Sequence, residues 1–128
     1  MRAIAIIVMI LGLASLAFGV VFIMQASSAE KEIAESIQPL KLADVDSRYE
    51  DVKAKQTAIK MAEEAQIQAG QAQPSAMYNY LTIQRTGLGK TRAEIGMASF
   101  TRMSGTINVI VGAGLILAGV GLLKKPSA

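Results

Sequence analysis

Polar and apolar positions are sharply segregated along the chain. Residues 3–29 carry no charge and neither do residues 103–123, whereas twenty of the 23 charged side chains fall between Glu30 and Arg102. The first apolar run reads AIAIIVMILGLASLAFGVVFIM over residues 3–24. A helix rises about 1.5 Å per residue and the hydrocarbon core of a bilayer is about 30 Å thick, so this run predicts one membrane crossing. The second reads INVIVGAGLILAGVGLL over residues 107–123, opened by Arg102 and closed by Lys124, Lys125 and Pro126. It predicts a second crossing over residues 105–123, with a cationic stop at the headgroups and a short cationic tail at 124–128. A buried or interfacial helix is the competing reading of the second run.

The first run also has the outline of a secretory signal: Arg2 gives a short positive start, and Ser27, Ser28 and Ala29 offer small residues for cleavage. Signal cores are about 7–15 residues long, and this one is longer, which favours an uncleaved signal-anchor.

Small residues recur every seven positions in both runs, at Ala5, Gly12, Gly19 and Ala26 and at Ala98, Gly105, Gly112 and Gly119. A seven-residue step keeps them on one helix face. Small faces let backbones approach closely where lipid supplies no hydrophobic drive. Gly12, Gly19, Gly105, Gly112 and Gly119 are therefore the expected helix-packing residues. An antiparallel pairing is expected to set Gly12 against Gly119, Gly19 against Gly112 and Ala26 against Gly105. Gly114 and Gly121 form a second small stripe, available to another subunit. The plainer reading is that glycine is common in membrane helices. Asn108 is expected to hydrogen-bond across the pair.

The polar middle, residues 25–104, reads as an extramembrane helical hairpin with breaks near Pro39 and at 70–74, where Gly70 and Pro74 stand. Residues 47–69 lack Gly and Pro and are rich in Ala, Glu, Lys and Gln, all strong helix formers. Ser47 with Glu50 has the spacing of a capping box, and Gly70 is a natural stop. Leu42, Val45, Tyr49, Val52, Gln56 and Ile59 alternate steps of three and four. So do Met77, Leu81, Gln84, Leu88, Thr91, Ile95 and Ala98, after a cap at Ser75. Both series predict heptad seams. Residues 30–38 are expected to be a short separate helix or an extension of the first crossing. Residues 30–64 carry nine acids and six bases, and residues 85–102 four bases and one acid, which suits pairing of the two arms.

Composition narrows the chemistry. The chain has 128 residues, 52% hydrophobic, with mean hydropathy +0.37 and neither Cys nor His. Histidine-based acid–base catalysis, cysteine nucleophiles and ordinary zinc sites are thereby excluded. Because the middle is balanced, the net charge of +3 rests on Arg2, Lys124 and Lys125, the expected membrane anchors. The basic pI thus describes membrane flanks and gives no reason to expect nucleic acid.

GLGKT at residues 87–91, following the strand-like YNYLTI at 78–83, mimics a phosphate-binding loop. Gln84 occupies the place of the first glycine, so a nucleotide is not expected. Asp44, Val45 and Asp46 begin like a calcium loop that Arg48, Tyr49 and Lys55 then break.

The local charge step from Arg2 to the acidic flank at Glu30 and Glu32 predicts cytoplasmic termini, in a plasma or inner membrane, with residues 30–102 outside it. The sequence thus predicts an all-α membrane protein: two transmembrane helices in an antiparallel pair, joined by an extramembrane helical hairpin. The expected role is a non-catalytic scaffold or accessory subunit without a cofactor. It would act in the lipid bilayer through helix packing, as a homo-oligomer or in a larger membrane complex. Two other roles fit the plan. One is an extracytoplasmic sensory or ligand-binding input module, resembling the input half of chemoreceptor-like proteins. Only residues 124–128 follow the second run, so that role requires a separate output partner. The other is a small oligomeric pore.

Overall fold

Helix formers fill the segments between the breaks, and three helices occupy them: α1 (Arg2–Ser36), α2 (Val45–Gln68) and α3 (Ala76–Lys124). A single 3-10 turn, Leu42–Asp44, leads into α2. The computed structural model describes residues 2–124, and no strand occurs among them. Lys125 and Pro126, expected to take part in the cationic stop, lie outside the described residues. The helices fall into two compact units. One joins the residues up to Lys31 with those from Met97 onward, and the other is Glu32–Gly96.

The helix ends reflect local chemistry. Residues 25–36 contain neither Gly nor Pro, and they extend the apolar run as part of the same helix, α1. Two residues after Ser36 the chain approaches Pro39, which disfavours helical backbone at the residue before it. The Ile37 amide, donating to the Ile33 carbonyl at 3.2 Å, closes the last turn.

α2 begins earlier than the capping-box spacing implies. Asp44 holds the N-cap position, and Ser47 lies inside the helix with its hydroxyl donating back to the Asp44 carbonyl at 3.0 Å. The preceding 3-10 turn has already wound the backbone, so Ser47 cannot take the extended conformation of a cap. Glu50, freed from a capping role, forms an ion pair with Lys53 at 3.1 Å.

At the other end Gly70 has φ +68°, the left-handed conformation that glycine adopts without strain. The Gly70 amide donates to the Ile67 carbonyl at 3.0 Å and the Gln71 amide to the Gln66 carbonyl at 2.9 Å. This double closure is the Schellman arrangement.

Ser75 then caps α3, its hydroxyl accepting from the Tyr78 amide at 3.1 Å. The Ser75 amide in turn donates to the Glu63 carboxylate at 3.0 Å, tying the linker to α2. The Ser75 side chain and backbone, in that order, hold the Glu63 carboxyl below its ordinary range. A lowered folded-state pKa stabilises the fold above the ordinary glutamate value, and the contribution disappears as pH falls through the folded value. The protection factor of the Ser75 amide should therefore be higher at pH 7 than at pH 3. Glu63→Gln, which keeps an acceptor but cannot titrate, should flatten that dependence. Identical pH profiles in the two proteins would refute the assignment.

Within Glu32–Gly96, Val45, Val52, Gln56 and Leu81 are buried, with Leu42, Tyr49, Ile59, Gln84, Leu88, Thr91 and Ile95 partly covered. These are seam positions of both predicted heptad series. Met77 departs from the pattern at 55% exposure, because it stands on the wall of an open groove instead of between the helices.

Candidate functional site

The unit built from α1 up to Lys31 and α3 from Met97 is packed through its smallest residues. Ala5, Gly12, Gly19 and Ala26 are buried on α1, and Ala98, Gly105, Gly112 and Gly119 on α3. The approach is backbone to backbone. A Cβ placed on Gly12 would stand 2.8 Å from the Gly112 carbonyl oxygen, and one on Gly112 would stand 2.6 Å from the Gly12 carbonyl oxygen. Gly19 and Gly105 are reciprocal in the same way, at 2.6 and 2.7 Å. Gly119 lies over Ala5 and Met9, its added Cβ reaching the Ala5 carbonyl oxygen at 3.0 Å.

The expected register is therefore displaced. Gly12 faces Gly112 and not Gly119, Gly19 faces Gly105 and not Gly112, and Gly105 does not take Ala26. The displacement is one seven-residue step. It gives Ala5 a small partner in Gly119, whereas the expected register would have placed Ala98 opposite Ile33.

Two polar contacts accompany this face. The Ser15 hydroxyl donates to the backbone carbonyl of Asn108 at 2.9 Å. The cross-helix bond at Asn108 thus uses its main chain, where the sequence pointed to the side chain. Serine is small enough to reach a main-chain acceptor on a closely packed neighbour. Arg102 pairs with Glu30. Both side chains lean toward the N-terminus of their own helix, which brings them together. Gly114 and Gly121 face open space, with nothing within 4 Å of an added Cβ. Arg2 and Lys124 are exposed at the same end of this unit, beyond the point where Ala5 meets Gly119, and Lys125 is beyond the described residues.

In the Glu32–Gly96 unit, the polar contacts join α2 to α3. Gln56, 7% exposed, accepts from Arg85 Nη1 at 2.6 Å and donates to the Thr82 hydroxyl at 3.1 Å. The Thr82 hydroxyl donates in turn to the Tyr78 carbonyl at 2.8 Å, and both the oxygen and the nitrogen of the buried amide are partnered. Farther along, Arg92 Nε lies 2.7 Å from Asp46, and its guanidinium stacks over the Tyr49 ring at 5.3 Å. The opposite charge of the two arms is used here. Exposed pairs of this kind contribute only about 0–1 kcal/mol each. Gln56 is the residue that sequence reasoning placed in an apolar seam without a partner. A polar residue at a seam position was the available signal.

The phosphate-loop mimic lies wholly inside α3. YNYLTI is helical, not a strand, and the amides of residues 87–91 lie within the helix and are not gathered around a cradle. Local β-propensity yields here to the seam formed with α2. Gly89 lies beside the Tyr49 ring, where an added Cβ would stand in ordinary contact at 3.4 Å. Lys90 pairs with Glu94 at 3.7 Å.

Beside the seam an open groove of about 470 Å³ has Val52 and Leu81 as its floor and Ile59, Met77 and Tyr80 as walls. A second groove of about 480 Å³, lined by Pro39, Leu40 and Leu88, shares Arg48 and Gln84 with it. Comparison with protein-family models, with curated proteins and with solved structures finds no match to the chain.

Proposed function

We propose that the chain is a non-catalytic integral membrane scaffold or accessory subunit. In this reading α1 and the C-terminal part of α3 cross a bilayer as an antiparallel pair, anchored by Arg2, Lys124 and Lys125. Two helices, α1 and α3, are long and apolar enough to cross a membrane. The observation that carries the reading is an inverted distribution of side-chain size. Alanine and glycine are the fully buried residues of the contact between the helices, while Leu13, Phe18, Ile110 and Leu117 are 60%, 62%, 66% and 72% exposed. Each such side chain left in water forgoes about 1.5–3 kcal/mol of burial. A soluble fold would turn them inward, whereas lipid is a fitting neighbour for them and small residues suit helix contact in lipid.

Both termini lie in the cytoplasm and residues 30–102 outside a plasma or inner membrane, as the charge step at the first crossing favours. The partners are lipid and either further copies of the chain or a larger membrane complex. Nucleic acid, nucleotides and cofactors have no part in the role.

Alkaline carbonate washing should leave the full chain in the membrane pellet, and a reporter fused at the C-terminus should be cytoplasmic. Release by carbonate would overturn the membrane reading, and an external reporter would overturn the orientation. Native mass spectrometry of gently solubilised membranes should detect an oligomer or a complex. A strictly monomeric, partner-free species would end the scaffold reading.

A further inference from the structure

The paired grooves beside α2 and α3 differ in electrostatic character from the rest of that helix pair. On α2, Lys53 pairs with Glu50 at 3.1 Å and Lys60 with Glu64 at 3.4 Å. Arg48 and Lys55, the two cations lining the first groove, have no ion-pair partner among the described residues. They stand seven residues apart on α2, which is two turns or about 10.5 Å along one face. Between and beside them lies an apolar bed: Val52 and Leu81 at the floor, with Ile59 and the half-exposed Met77 rising from it. Along α3 the two grooves run from Met77 to Leu88, about 16 Å or three helical turns.

We propose that this groove docks an acidic amphipathic helix of a different protein. That helix would carry an apolar stripe of about three turns and, on its edge, carboxylates two turns apart that meet Arg48 and Lys55. The matched period is the argument. Carboxylates at i and i+7 on a helix repeat at the distance that separates the two cations, and apolar residues at i, i+3, i+4 and i+7 fill such a groove. A single-headed anionic amphiphile would satisfy one cation and leave the other unmatched. A second copy of this chain presents the same cationic rim, and like charges brought together oppose that pairing. The proposal gives the accessory role argued above a partner chemistry and rests on that reading.

The test uses the full chain, in nanodiscs of zwitterionic lipid or in buffer according to where it proves soluble, so that failure of the membrane reading leaves the binding experiment standing. The probe is a fluorescein-labelled 18-residue helix with a leucine stripe and glutamates two turns apart, compared by anisotropy with the same peptide bearing lysines at those positions. The glutamate peptide should bind at least tenfold more tightly, and less tightly as salt is raised. Arg48→Glu with Lys55→Glu should reverse the order of the two peptides, while Arg48→Lys with Lys55→Arg should preserve it. Met77→Glu, at an exposed position, should weaken the glutamate peptide. Equal binding of both peptides overturns the proposal, as does a preference that survives the charge reversal. Charge-dependent binding of oleate without peptide binding overturns it in favour of a lipid ligand. A dimer trapped through Met77→Cys overturns it in favour of a second copy.

Discussion

Replacing Gly112 by leucine will separate α1 from the C-terminal part of α3. A Cβ at this position meets the Gly12 carbonyl oxygen and the Leu16 amide nitrogen, both at 2.6 Å. Overpacking a core costs about 1–3 kcal/mol when flexible side chains can move aside. Here the opposing atoms are main chain, so the effect belongs at the top of that range, a roughly hundredfold shift in the pairing equilibrium. Because the chain contains no cysteine, one introduced pair reports the contact without background. Ala26→Cys with Ala98→Cys, two buried positions that continue the observed register, should oxidise readily in the parent and at least tenfold more slowly with Gly112→Leu. Gly114→Leu is the control: its surroundings are open, and the crosslink should form as in the parent. Unchanged crosslinking in Gly112→Leu would show that the glycine contact does not hold the helices together.

In the other unit the largest effect is expected from Arg85→Ala. The variant removes the donor 2.6 Å from Gln56 Oε1 and leaves a 93%-buried amide with an unsatisfied acceptor. An orphaned buried polar group costs about 1–3 kcal/mol. Amide exchange in the Glu32–Gly96 unit should accelerate about 5- to 100-fold, read by mass spectrometry on the full chain. Gln56→Leu combined with Arg85→Met removes both polar partners at once and should recover most of the protection. Replacing a satisfied pair by apolar groups of similar shape is close to neutral. If the double variant is as labile as the single one, the polar pair has some role beyond mutual satisfaction. If Arg85→Ala exchanges like the parent, water already serves the Gln56 oxygen.

These two experiments address the two kinds of order in the molecule. In the first unit specificity comes from backbone proximity, with Ile23, Val109 and Ile116 reaching over the bare faces of Gly105, Gly19 and Gly12 on the opposite helix. In the second it comes from a hydrogen-bonded amide set in an apolar seam, which resists slippage because any other register leaves the amide without its donor. Arg92 on Tyr49 is an exposed contact and adds little to this.

Much of this was legible in the primary structure. The charge-free runs, the small residues at seven-residue steps, the stop at Gly70 and the cap at Ser75 are local features, and local physics fixes them. Propensity and φ preference act within a few residues, and helix periodicity sorts side chains by face before any partner is chosen. One local reading changed on folding: Ser47 lies inside α2, with Asp44 at the N-cap position and no side-chain cap bond, because a 3-10 turn had already wound the chain. Residues 25–36 continue α1, the extension that stood beside a separate helix as an expectation, since nothing in them breaks a helix. YNYLTI is helical, in keeping with the heptad series that runs through it, because the seam it forms with α2 outweighs its β-propensity.

Register could not be read in this way, for a reason built into the pattern itself. A stripe that repeats every seven residues looks the same after a slip of seven. Gly12 against Gly119 and Gly12 against Gly112 both keep the spacing, although only the second gives every small residue of each stripe a small partner. The sequence determined that these two helices would meet through their smallest residues. Only the tertiary structure decided which small residue meets which, by adding what periodicity leaves out: the Ser15 bond to Asn108 and the Arg102–Glu30 pair.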